Sequence, residues 1–143
     1  MEVKLAVIAD AANVSREGKL NILGEFNTIF AATVPIRWPV MVLVVKLEAP
    51  VAEGPEHAFG VRVVDEDGNF VAPNIDGRIT FGGHTPPGHP YRAQQIIGIR
   101  DAVFPKFGEY AFEILCDGRR EFSVPLYVQE RAPAVPALPP PAE

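Results

Sequence analysis

Apolar and polar residues alternate along short segments of the chain, and turn residues separate one segment from the next. Val, Ile and Phe concentrate in these segments, while 12 Gly and 15 Pro keep every apolar stretch short. Alternation with a period of two, bounded by turn residues, is typical of half-buried β-strands, whereas a helical period is hard to find here. The pattern therefore predicts an all-β protein.

The spacing of the segments predicts about eight strands joined mostly by short hairpins, which favours an antiparallel β-sandwich, immunoglobulin-like or similar, over a barrel. Near the end of the domain, Tyr110 follows a glycine just inside a strand, and such a tyrosine can return its hydroxyl to upstream backbone. The predicted strands are Val3–Ala9, Leu20–Ile29, Val40–Glu48, Ala58–Asp65, Phe70–Phe81, Gln94–Arg100, Glu109–Cys116 and Glu121–Gln129.

The composition changes near residue 130 and divides the chain into two parts. A chain of 143 residues buries enough surface for one core and too little for two. We therefore predict one β-sandwich domain over residues 1–130 and an extended, proline-rich tail over 131–143. Two P-x-x-P motifs in the tail, Pro133–Pro136 and Pro136–Pro139, fit SH3-like grooves, but a passive linker is the simpler interpretation.

Charge and hydropathy exclude several classes of function. A net charge of −5, with no basic run longer than Arg119–Arg120, argues against nucleic acid as a partner. The longest apolar run, Val40–Val45, falls far short of the about 20 residues of a membrane span, so we expect no membrane insertion. Residues 1–10 do not resemble a signal peptide, and Cys116 has no partner for an internal disulfide. The expected location is the cytoplasm.

The third predicted strand is apolar on both faces over part of its length. Met41, Leu43 and the following alternate residues can face the core, which leaves Val40, Val42 and Val44 on the opposite face. Either a loop such as 82–92 covers these valines, or another protein surface does. Val40, Val42 and Val44 are therefore a candidate interface for a partner protein or a second copy of the chain.

The longest irregular segment, residues 82–92 (GGHTPPGHPYR), is a candidate ligand loop. His84, His89 and Tyr91 could contact a small ligand or a metal ion, although the spacing of the histidines fits no standard zinc site. The segment Asp65–Asn69 also carries oxygen ligands, but it lacks the positions of a calcium-binding EF-hand loop. We interpret it as a hairpin turn with Gly68 or Asn69 at positive φ.

The serines and the cysteine offer little for catalysis. Ser15 and Ser123 do not lie in a G-x-S-x-G elbow, and nothing in the sequence activates Cys116 as a thiol nucleophile. A hydrolase or thiol enzyme built on Cys116 and a histidine is the least favoured alternative. The sequence favours a non-enzymatic module for protein interaction or self-assembly, without cofactor, metal or catalytic residue, over a small-ligand or metal-binding domain that uses the 82–92 loop.

Several motifs together resemble a family of small, uncharacterised bacterial proteins. The resemblance covers residues 1–130, leaves out the tail and implies a compact β-sandwich. It implies no activity, cofactor or catalytic residue. The motifs that carry it are Ala9-Asp10-Ala11-Ala12, Gly18-Lys19-Leu20-Asn21-Ile22-Leu23-Gly24-Glu25-Phe26, Pro35, Asp65-x-Asp67-Gly68, the Gly-x-Tyr-x-Phe strand at Gly108–Phe112, and the closing Val124-Pro125-Leu126-Tyr127-Val128.

Overall fold

The protein is a two-layer β-sandwich. The structure, a computed structural model, describes residues 1–131 and 140–141, so the two P-x-x-P motifs of the tail lie outside the described residues. Within the described part, no helix is long and apolar enough to cross a membrane. The strands are β1 (Glu2–Val14), β2 (Leu20–Glu25), β3 (Thr28–Ala31), β4 (Ile36–Ala49), β5 (Glu56–Val64), β6 (Ile75–Thr80), β7 (Tyr91–Phe104), β8 (Gly108–Cys116) and β9 (Arg119–Glu130).

The strands form two sheets whose inner faces meet in one core. The first sheet has the order β2-β1-β4-β7, and the second has the order β3-β9-β8-β5-β6. The alternate residues of β4 predicted to face the core, from Met41 to Leu47, are all buried, and they belong to one cluster with Phe112 and Leu126 of the second sheet. The predicted all-β sandwich is confirmed, with nine strands rather than about eight in the described chain.

One predicted strand, Leu20–Ile29, is in fact two strands in different sheets, and the prediction of a single strand is wrong. β2 pairs with β1 in the first sheet, whereas β3 runs parallel to β9 in the second. Gly24, at the end of β2, has a φ of +69°, and a Cβ there would collide with the carboxylate of Asp10. Only glycine combines this backbone angle with such a close contact. The predicted antiparallel pairing has one exception at the same place, because β3 and β9 are parallel.

The first strand is longer than the pattern predicts, because β1 continues through residues 10–14, which resemble a polar connection. Its first part pairs with β4 from Glu2 to Ala9, and its second part pairs with β2 from Ala9 to Val14. Ala9 therefore has a partner on both sides, and beyond it β1 leaves β4 and continues only as one arm of the β1–β2 hairpin. Polar residues fit this arm because most of it is exposed.

Two local predictions about turns and corners are confirmed. The Asp65–Asn69 segment is a hairpin turn in which Gly68 has a φ of +82°, and one carboxylate oxygen of Asp65 accepts hydrogen bonds from two backbone N–H groups at 2.9 Å each. Tyr110 forms the predicted corner, since its hydroxyl donates to the carbonyl of Lys106 at 2.7 Å and accepts from the Lys106 N–H at 3.1 Å. Both features fix loops around the core.

Candidate functional site

The three valines of the candidate interface lie on the outer face of β4, as the alternation predicts, but they differ in exposure. Val40 is 47% exposed, Val42 is half-buried, and Val44 is fully buried. Val44 is nevertheless outside the main core cluster, so it is covered on the outer side of the sheet. Within the described residues the three valines therefore do not form a free apolar patch, because Val44 is not accessible.

The structure places another part of the chain, one that the sequence did not suggest, beside this face of the sheet. The tip of the β1–β2 hairpin reaches β7, where the side-chain nitrogen of Gln94 donates to the carbonyl oxygen of Gly18 at 3.2 Å. Val14 of the same hairpin lines a crevice together with Lys46 and Gln94, the next outward-facing pair beyond Val44. We attribute the burial of Val44 to this hairpin. The loop 82–92 instead lines a cleft with Pro50–Ala52.

The β1–β2 hairpin exposes apolar side chains at the open edge of the first sheet. β2 is the outermost strand of that sheet, so one side of its backbone has no strand partner within the described chain. Leu23 is 71% exposed and Ile22 is 37% exposed, although both belong to this strand. The strand begins after Lys19 and ends at Glu25, and both of these charged side chains are exposed. An edge strand with exposed apolar residues is a template for pairing with another strand.

The residues of the candidate ligand loop do not all come together. His89 and Tyr91 line the cleft shared with Pro50–Ala52, whereas His84 lies outside that lining. The ring of Tyr91 stacks on Phe81, with ring centroids 5.5 Å apart and planes 13° from parallel. Both histidines are exposed. Binding of a ligand or metal ion by His84, His89 and Tyr91 stays a prediction, and the position of Tyr91 is fixed by packing on Phe81.

The structure pairs His57 with Asp117, a contact that the sequence analysis missed. His57 is 4% exposed, and its Nδ1 and Nε2 lie 2.7 Å from a carboxylate oxygen of Asp117 and 2.9 Å from the carbonyl oxygen of Gly54. A carbonyl oxygen can only accept, so Nε2 donates its N–H to Gly54. The hydrogen bond from His57, assisted by the N–H of Ala58, lowers the pKa of Asp117. The two residues are 60 positions apart in the sequence, and no sequence motif predicts their contact.

Cys116 has the environment of a structural cysteine. Its side chain is buried in the core cluster. Burial raises the pKa of the thiol to about 11, so the nucleophilic thiolate is scarce at neutral pH. Among residues 1–131 and 140–141, no three His, Cys, Asp or Glu side chains are placed to hold one metal ion.

The chain belongs to a family of unknown function. The family model described as DUF6941 matches residues 4–129, from within β1 to the penultimate residue of β9. No curated protein matches the chain. The family membership agrees with the resemblance drawn from the sequence motifs, and it assigns no activity to any residue.

Proposed function

We propose that this protein is a non-enzymatic interaction module that self-associates through the open edge of β2. The observation that carries the proposal is the combination of exposed Ile22 and Leu23 with an unpaired strand edge. The partner is a second copy of the chain, whose own β2 runs antiparallel to the first. The acidic composition and the single cysteine favour the cytoplasm as the place of this assembly, with no role for nucleic acid.

The charges that flank β2 favour one register of pairing. In a strand, the backbone N–H and C=O groups that point to one edge belong to alternate residues. When two identical strands pair antiparallel along that edge, one residue therefore lies opposite its own copy, and the two-fold axis passes midway between them. When Ile22 lies opposite its own copy at the centre, Lys19 of each copy lies opposite Glu25 of the other. Opposite charges directly across a strand pair are favourable, and like charges are unfavourable. The register therefore combines an apolar centre with two ion pairs.

Charge exchange tests this register. Lys19→Glu and Glu25→Lys should each weaken the dimer about tenfold or more, because each single change places like charges opposite each other twice. The double variant Lys19→Glu/Glu25→Lys should restore the dimer to within about threefold, because the ion pairs re-form with reversed polarity. Sedimentation velocity over a range of concentrations, with native mass spectrometry for stoichiometry, measures the dissociation constant.

A matched control separates this contact from general charge effects. Lys106→Glu makes the same change of charge as Lys19→Glu on the connection between β7 and β8, and it should leave the dimer unaffected. Because one strand edge is smaller than a standard interface, the dimer should dissociate reversibly on dilution. A monomeric wild-type protein at high concentration, or a double variant no better than either single one, would contradict the proposal.

The outer valines are a second place for contact. Val40 remains exposed on β4, and Val42 is half-buried beside Gly98 of β7. Their contact with a partner is still a prediction, and Val42→Glu tests it. Val44 does not belong in that test, because a charge there would disturb a fully buried position.

A further inference from the structure

A crevice of about 640 Å³ lies on the outer face of the first sheet, beside the tip of the β1–β2 hairpin. Its floor consists of residues from the three neighbouring strands β1, β4 and β7, and Val14 of the hairpin forms part of its wall. None of its lining residues belongs to β2, so the crevice is separate from the proposed dimer contact. The lining residues are Lys4, Leu5, Val14, Lys46, Leu47, Glu48, Arg92, Ala93 and Gln94.

The crevice is cationic although the protein is acidic. Three basic residues and one acidic residue line it, in a chain whose net charge is −5. Lys4 is already paired with Glu2 at 2.8 Å, and Arg92 lies 3.9 Å from Glu48. Lys46 forms no ion pair with any residue in the described part of the chain. The ammonium group of Lys46 is therefore available to an anion.

Gln94 adds a second polar group that needs a partner. Because the carbonyl oxygen of Gly18 can only accept, Gln94 must present its amide nitrogen to it, which directs the amide oxygen elsewhere. This oxygen is buried and has no hydrogen-bond partner among the described residues. A buried acceptor without a donor is unfavourable, so a shift of the Gln94 side chain that brings this oxygen to an O–H or N–H group of a ligand would be favoured.

Leu5 and Val14 supply an apolar surface next to these polar groups. Leu5 lies directly across from Lys46 in the register of β1 and β4, and Gln94 lies across from Lys46 on the other side. Val14 is 46% exposed, although it lines the crevice. The volume is in the usual range of about 300–1,000 Å³ for small-molecule sites, which combine apolar walls with a few placed polar groups.

We propose that this crevice binds a small organic acid that has an apolar chain and a hydroxyl or amide donor near its carboxylate. The carboxylate contacts Lys46, and the chain lies against Leu5 and Val14. The donor reaches the amide oxygen of Gln94 by a shift of that side chain, because the oxygen is closed to solvent in the free protein. The charge-assisted contact to Lys46 selects a negatively charged ligand. The hydrogen-bond donor distinguishes a hydroxy acid from a fatty acid without a hydroxyl group. The site shares Arg92 with the 82–92 loop but contains none of the candidate ligand residues His84, His89 and Tyr91.

Calorimetric titration with three probes of equal chain length tests the site. At concentrations below micelle formation, 3-hydroxydecanoate should bind, decanoate should bind several-fold more weakly, and decylamine should not bind. Lys46→Glu should weaken the binding of 3-hydroxydecanoate about tenfold or more, while Lys106→Glu should leave it unchanged. Both lysines are exposed, so neither substitution should destabilise the folded protein.

Three results would overturn the proposal. Equal binding of decylamine and 3-hydroxydecanoate would show that the site does not select charge. An unchanged affinity in Lys46→Glu would place the ligand elsewhere. Sedimentation of the protein with phosphatidylglycerol vesicles, without binding of the monomeric acid, would indicate a lipid surface instead. Lys46→Glu should also keep the wild-type state of association, so failure of this site and failure of the β2 contact are distinguishable.

Discussion

His57 is the one polar side chain that the described part of the chain buries, and its surroundings explain how the fold accommodates it. Two oxygen acceptors contact its ring, and Phe81 packs against it edge-on with ring centroids 5.7 Å apart. Asp117 also accepts from the N–H of Ala58 at 3.0 Å. The pair therefore ties the connection after β8 to the start of β5.

Replacing Asp117 with Asn should lower stability in a pH-dependent way. The pKa of Asp117 is lowered in the folded state, chiefly by the hydrogen bond from His57, so its contribution is present above its unfolded pKa of about 3.9 and is lost as the pH falls through the lower folded value. With the Asp117 side chain 46% exposed, we expect a loss of about 1 kcal/mol at pH 5. Urea unfolding at several pH values measures it.

The control for this prediction comes from acid conditions. Asn tolerates the φ of +51° at position 117, so the backbone should not be strained by the change. The difference between wild type and variant should shrink towards zero once the pH falls below the lowered folded pKa of Asp117, because the carboxylate is then protonated in both states. A difference that stays constant across this range would mean that the charge of Asp117 contributes nothing.

The sequence predicts residue-scale features when they are local. The Tyr110 corner depends on a hydroxyl that reaches backbone four residues upstream, and the Asp65–Asn69 turn depends on adjacent residues, so both are recognisable from short motifs. His57 lies on β5 and Asp117 lies just after β8, and the two meet only through the sheet pairing of β5 and β8. Nothing in their local sequence carries that information.

At the scale of elements, the β1–β2 hairpin determines which part of β4 is open. The alternation along β4 correctly assigns Val40, Val42 and Val44 to one face, but alternation does not say what lies above that face. We attribute the cover over Val44 to the β1–β2 hairpin, which forms because β1 pairs with β4 up to Ala9 and with β2 beyond it. The hairpin also requires Gly24, where the backbone has a positive φ. Of the two covers that the sequence suggests, the loop 82–92 lies elsewhere, at a cleft with Pro50–Ala52.

Aspartate substitutions at two positions of β4 should differ in their cost to stability, because Val44 is covered and Val40 is exposed. Val44→Asp places a charge at a fully buried site and should cost about 3 kcal/mol or more, or prevent folding. Val40→Asp changes the same face of the same strand at a site that is 47% exposed, and should cost less than about 1 kcal/mol. Chemical denaturation compares them. Equal costs would mean that the hairpin does not protect Val44 in solution.

For the whole molecule, the last strand holds the second sheet together. β9 lies between β3 and β8, pairing with β3 in parallel and with β8 in antiparallel direction. The backbone N–H of Arg131 still donates to the carbonyl of Ala31 at 2.7 Å, just after the strand ends at Glu130. The family model ends at residue 129, close to the same boundary.

Two truncations should define the end of the folding unit. A chain that ends at Arg131 should keep the wild-type free energy of unfolding, because β9 and its contacts with β3 remain. A chain that ends at Cys116 should not fold, because β3 then has no strand partner and the core loses Val124, Leu126 and Val128. Circular dichroism and thermal unfolding distinguish the two. A cooperative transition in the shorter chain would show that β9 is dispensable.

The place of β9 in the second sheet also constrains the order of events during synthesis. A ribosome releases β3 about a hundred residues before β9, the strand with which β3 pairs. Until β9 emerges, the strands of the first sheet can pair with one another, but one edge of β8 and all of β3 have no strand partner. The nascent chain therefore completes its sandwich only once β9 has emerged, and chaperones that shield unpaired strands have their longest opportunity before that point.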